Sequence, residues 1–298
     1  MRHLFEIDDL TTDELKDVLR LSTLSVPRVL DGKGVALLFE KPSARTRNSM
    51  EMAVVQLGGH PLTIRPDEVG LDVRETTEDV ARTLAGYHAI IAARVFDHTK
   101  LERMAAVSDV PVINMLSDKA HPLQALADVL TMASEWGGIE GLAGKKVAFV
   151  GDANNVARSL AISCGLLKMQ FSYATPLGYD FDQDDKQRIL NAGCQLEHHE
   201  DPFAAVANAD AVVTDVWTSM GDEHEADIRR SAFAAYTVDS EVMAAAKPNA
   251  IFLHCLPAHR GEEVSAAVID GPQSRVWPEA ENRMHTARGV MAWLMENQ

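Results

Sequence analysis

Four short stretches hold residue types that chemistry needs. Ser43-Ala44-Arg45-Thr46-Arg47 lies between an apolar run and a helix-like one. Hydroxyls, guanidinium forks and the free N–H groups of a helix start suit a phosphate or a carboxylate. A capped helix with two solvated arginines would give the same residues. Gly151-Asp152-Ala153-Asn154-Asn155 follows another apolar run, where a dinucleotide fold keeps its glycines. A pyrophosphate site needs three glycines and only one is present, which disfavours a nicotinamide cofactor. The two asparagines offer amides to a carboxylate or ammonium, or simply form a turn. Asp215-Val216-Trp217-Thr218-Ser219-Met220-Gly221-Asp222 puts a carboxylate at the end of an apolar strand and a hydroxyl beyond it. Asp215 would suit the ammonium of an α-amino acid; a surface loop with a capping aspartate is equally consistent. His254-Cys255-Leu256-Pro257 invites a Cys–His nucleophile. Neighbours along a strand point to opposite faces, however, and buried cysteine is most often a small hydrophobe. Leu256-Pro257 is a candidate cis peptide or kink. The eleven histidines show no ligand spacing, so no metal site is expected.

These stretches need elements to position them. Gly34–Phe39 reads as a buried strand, and Met50, Ala53, Val54 and Leu57 follow Ser43 at helical spacing, which makes Ser43 an N-cap. Before them, Thr11 and Glu14 form a capping box ahead of an amphipathic helix. Further strands are expected at 61–65, 88–94 and 110–114, helices at 75–84 and 101–107, and a loop over 66–74. Pro122 then opens a helix at a position where no N–H is needed. A glycine cluster near 136–144 marks a domain boundary. Beyond it, strands are expected at 146–150, 170–174, 195–198, 211–215 and 250–254. Helices are expected at 156–167, 184–191, 202–208, 239–246 and, last, 279–297. Strand–helix alternation with short links means mostly parallel sheets, whose strand ends converge on one rim. Arg45, Arg94 and His121 all fall at such ends, which strengthens the anion-site reading. The fold class is therefore α/β, with two domains, each a mostly parallel sheet flanked by helices.

With 298 residues, 46% hydrophobic and 24% charged, the chain has the composition of an ordinary globular protein. Its net charge of -16 argues against sequence-independent binding to nucleic acid or an anionic membrane. Three widely spaced cysteines, Cys164, Cys194 and Cys255, give no disulfide framework or zinc motif. No signal-peptide core or transmembrane window stands out, so a cytoplasmic protein is expected.

Taken together and in order, the motifs Ser43-x-Arg45-Thr46-Arg47, His121-Pro122-x-Gln124, Asp215-x-x-x-Ser219-Met220-Gly221 and His254-Cys255-Leu256-Pro257 closely resemble those of the ornithine carbamoyltransferases. These form part of the aspartate/ornithine carbamoyltransferase superfamily, and the resemblance runs from the first helix to Glu281-Asn282-Arg283. It implies a carbamoyl-phosphate domain over 1–138 plus the C-terminal helix at about 279–298, packed back on that domain. An ornithine domain would span 139–278. Ser43, Ala44, Arg45 and Thr46 would cradle the phosphate; Arg94, His121, Gln124 and Arg283 would complete that site. Asn155, Asp215, Ser219 and Met220 would bind the amino-acid head group, with Cys255 and Leu256 beside the attacking amine. Cys255, Arg94 and His121 would be catalytic. The implied reaction is carbamoyl transfer from carbamoyl phosphate to L-ornithine, giving citrulline and phosphate, without cofactor or metal. Arginine biosynthesis is the expected role and a homotrimer the expected assembly.

Two departures stand out. Ala44 replaces the usual threonine, and Glu68-Val69-Gly70-Leu71-Asp72-Val73-Arg74 replaces a shorter loop; both would weaken affinity for carbamoyl phosphate. Rival readings are a carbamoyltransferase for putrescine or an acylated ornithine, an idle binding protein on the same scaffold, and an NAD-dependent oxidoreductase. Putrescine would leave the Asp215 to Met220 site half empty, and acylation would block the ammonium contact.

Overall fold

The computed structural model describes residues 1–25, 27–218 and 223–298, and the chain divides into two compact units. The first comprises Met1–Ala127 and Glu281–Gln298; the second is Asp128–Ala280.

The first unit is built on four parallel strands, β1 (Gly34–Phe39), β2 (His60–Ile64), β3 (Ile90–Arg94) and β4 (Val112–Leu116), in the order β2-β1-β3-β4. β1 and β3 are buried almost throughout, as their unbroken apolar runs require, while β2 at the edge is half-exposed. The Thr12–Thr23 helix begins at the Thr11–Glu14 capping box, and the Ala44–Gln56 helix begins at Ser43. The C-terminal helix, Val276–Glu296, runs back onto this unit. Arg288 donates to Gln56 Oε1 at 2.9 Å and to the Ser22 carbonyl at 2.8 Å. At Gly289 a Cβ would stand 2.2 Å from Ser22 Oγ and 2.7 Å from the Val18 carbonyl, so only glycine permits this approach.

The second unit has five parallel strands, β5 (Lys146–Val150), β6 (Gln170–Ala174), β7 (Gln195–His199), β8 (Ala211–Thr214) and β9 (Ile251–His254), in the order β7-β6-β5-β8-β9. Both sheets thus confirm the α/β reading. Each has a point where the chain order reverses, between β1 and β3 and between β5 and β8, and ligands of open parallel sheets gather at the strand ends there.

Several boundaries differ from expectation. Pro66–Val69 is a short helix within the expected loop: Pro66 suits the first turn, the Glu68 carboxylate accepts the Arg65 N–H, and left-handed Gly70 ends it. The Thr77–Ala85 helix starts after 75 because Thr76 is its cap. β3 and β4 begin two residues later than expected, at Ile90 and Val112. The last helix starts at Val276, since Pro278 is tolerated in a first turn. The helices Ala226–Phe233 and Ala266–Ile269 were not foreseen.

Candidate active site

In the first unit, the sharp turn from β1 into the Ala44–Gln56 helix carries the anion motif. Ser43 caps the helix, its Oγ accepting from the Thr46 N–H at 3.3 Å, so the motif's backbone is fixed by its own side chain. Thr46 is buried and Arg45 half-buried, whereas Ala44 is exposed at the first helical position. Three groups reach the Thr46 hydroxyl: Ser43 Oγ at 3.1 Å, an Arg94 Nη at 3.3 Å and an Arg283 Nη at 3.3 Å. Arg94 is the last residue of β3, and Arg283 comes from the C-terminal helix. Arg283 also donates to Gln124 Oε1 of the Pro122–Glu135 helix, whose first turn follows His121. Burial, then the charges of Arg283 and Arg94, push the buried His121 well below the usual imidazole range, so it is neutral at pH 7. The fold therefore gathers Ser43, Thr46, Arg94, His121, Gln124 and Arg283 from four separate chain segments. The arrangement concentrates positive charge and N–H donors, which suits an anion with a polarisable carbonyl.

In the second unit, Asp215 follows β8 and Cys255 follows β9. The Cys255 thiol donates to Asp215 Oδ1 at 2.9 Å, and the Val216 N–H donates to the same oxygen at 2.7 Å. Burial, then the adjacent carboxylate, hold the thiol well above its ordinary value, so at neutral pH it is a proton donor and not a thiolate. Asn155 is half-buried at the start of the Asn155–Leu166 helix. The amide that reaches Asp215 belongs instead to Asn154, with Nδ2 2.9 Å from Oδ2. Leu256 adopts a left-handed φ of 58° and precedes a cis Leu256–Pro257 bond, as the sequence suggested. Ser219 and Met220 lie outside the described residues.

His254 and Cys255 do not form a dyad, as strand alternation requires. His254 Nδ1 accepts the Leu256 N–H at 2.9 Å, which places the ring proton on Nε2, 3.0 Å from Glu263 Oε1. Glu263 is fully buried and also accepts the His259 N–H at 2.6 Å. Sequence reasoning missed Glu263, and it missed Arg229, which pairs with Asp152 at 2.7 Å and donates to the Trp217 carbonyl at 3.0 Å. No chain-local signal marks either. Among the described residues, Asp215, His254 and Cys255 converge, as do His259, Glu262 and Glu263. In the first trio both His254 nitrogens already have partners, which leaves it no lone pair for an ion. No helix among the described residues is long and apolar enough to cross a membrane.

Comparison with known proteins finds relatives along nearly the whole chain. Residues 2–134 match the model for the carbamoyl-P binding domain of aspartate/ornithine carbamoyltransferase, and residues 143–294 match that for its Asp/Orn binding domain. An ornithine carbamoyltransferase of Hyperthermus butylicus is 46% identical, over 99% of this chain and 97% of that one. The solved ornithine carbamoyltransferase of Pyrococcus furiosus is 43% identical with a TM-score of 0.93, covering 100% of this chain and 98% of that one. The anabolic enzyme of Campylobacter jejuni is 31% identical with a TM-score of 0.95, each chain covered in full.

Proposed function

Because the chain belongs to the aspartate/ornithine carbamoyltransferase family, we propose that it transfers the carbamoyl group of carbamoyl phosphate to the side-chain amine of L-ornithine. The observation that carries this is the ring of donors about Thr46: Ser43, Arg94 and Arg283, beside a neutral His121. Residues 1–138 with 279–298 are the carbamoyl-phosphate domain in this reading, and 139–278 the ornithine domain.

Ser43, Ala44, Arg45 and Thr46 hold the phosphate through backbone N–H groups, hydroxyls and the Arg45 guanidinium. Arg94, His121, Gln124 and Arg283 hold the carbamoyl end. Asn155, Asp215, Ser219 and Met220 take the head group of ornithine, with Cys255 and Leu256 beside its δ-amine. The neutral amine attacks the carbonyl carbon, and Arg94 with His121 stabilises the oxyanion that forms. The C–O bond to phosphate then breaks, and Arg45 with the helix-start N–H groups receives the growing charge. A protonated Cys255 cannot accept the amine's proton, so that proton passes to the leaving phosphate. Positioning and electrostatics supply the rate, with no covalent intermediate.

The test is citrulline formation from carbamoyl phosphate with ornithine, putrescine, N-acetylornithine and aspartate offered separately, without added metal or cofactor. Turnover with ornithine alone supports the reading. Turnover with another amine keeps the carbamoyl-phosphate site and overturns the second-domain assignments. Arginine biosynthesis in the cytosol is our reading of its role, supported by the anabolic relative. Failure to restore arginine-free growth to a strain lacking its own enzyme would count against that role.

A further inference from the structure

Asn154 does two things with one side chain. It is the N-cap of the Asn155–Leu166 helix, with Oδ1 accepting from the N–H groups of Val156 at 2.9 Å and Ala157 at 3.1 Å. Those two bonds fix which end of the amide is oxygen, so Nδ2 is the group that faces Asp215 Oδ2 at 2.9 Å. Serine, threonine and aspartate cap a helix about as well as asparagine. Aspartate here would set a second carboxylate against Asp215, and a hydroxyl residue would lack the second arm. The helix therefore does not explain the choice of residue; Asp215 does.

A carboxylate offers about four acceptor positions. Val216 N–H and the Cys255 thiol occupy Oδ1, and Asn154 occupies one position on Oδ2. Among the described residues this leaves one position, on Oδ2. Asn154 lies in the turn after β5 and Asp215 directly after β8, so the bond spans the two neighbouring strands where the chain order reverses. We propose that Asn154 is a positioning residue, which locks the rotamer of Asp215 so that the Oδ2 position left open among the described residues receives the substrate's amino group. The proposal rests on the assignment of Asp215 to the amino-acid site.

Asn154→Ser keeps a capping oxygen and removes the donor arm; Asn154→Ala removes both. In the full chain, the serine variant should melt above the alanine variant, because it keeps the capping oxygen. Its kcat/KM for ornithine should fall about tenfold or more, as for a lost hydrogen bond to a charged group. Alkylation of Cys255 by iodoacetamide supplies a second readout. With Asp215 released, the carboxylate no longer holds the proton on the thiol, and the pH profile of alkylation should shift downward; Glu279 and Asp128, the other charges acting on it, are unchanged. The alanine variant should show both effects and a lower melting temperature. Wild-type kinetics and an unmoved alkylation profile in the serine variant would overturn the proposal. An inactive wild type would instead overturn the ornithine assignment, and the alkylation profiles would still test the lock.

Discussion

Arg45 has neither an ion-pair partner nor a hydrogen-bonded side chain among the described residues, and it is half-exposed, so its charge is available to a ligand. Arg45→Ala should raise the KM for carbamoyl phosphate about tenfold or more while leaving the urea midpoint unchanged, because no native contact is lost. An unchanged KM would remove Arg45 from the site. His121 makes the opposite case, since its burial shows in stability. Its folded pKa is lowered, so the unfolded chain takes up the proton first as pH falls through about 6.5. The stability due to a neutral His121 is fully present above that pH and is lost as pH falls toward the folded value. Its share of the slope is at most about 1.4 kcal/mol per pH unit. Urea unfolding at pH 7 and pH 5 should therefore show a shallower loss in His121→Gln than in wild type; equal losses would mean an ordinary imidazole. Ser43 and Thr46 were legible in the sequence because a cap and its N–H partner lie three residues apart. Asn154 and Asp215 lie 61 residues apart, and Glu263 reaches His254 from nine residues on, so neither bond has a local signature.

Elements were legible where burial enforces a pattern. β1, β5 and β6 match their expected ranges residue for residue; in β1 and β5 a buried parallel strand tolerates little but an apolar run. Helix starts moved where a particular cap decided them, as Thr76 did. The Ala226–Phe233 helix escaped notice because Phe233 is its one fully buried side chain, so it carries no apolar stripe. The docking of the C-terminal helix depends on a missing side chain. Gly289→Ala would push a methyl into Ser22 and the Val18 carbonyl, and the expected cost is about 1–3 kcal/mol of stability. A lower urea midpoint would show it, and an unchanged one would mean that the helix can slide on its neighbour.

For the whole molecule, we propose a homotrimer from the family resemblance, and sedimentation equilibrium should return three times the 32.6 kDa chain mass. A monomer that nonetheless turned over substrate would refute it. A net charge of -16 is compatible with the proposed anion site, because the guanidinium groups of Arg94 and Arg283 meet at Thr46 while the acidic residues are spread over both units. The order of those residues along the chain has a consequence for biosynthesis. The first unit is interrupted by residues 128–280 and resumes at Glu281. Ser43, Thr46, Arg94, His121 and Gln124 leave the ribosome before the second unit, but Arg283, which donates to both Thr46 and Gln124, follows it. A nascent chain halted before Arg283 would own most of the anion site and be unable to close it. In the proposed reading, the anion site closes only after the whole of the second unit has been translated.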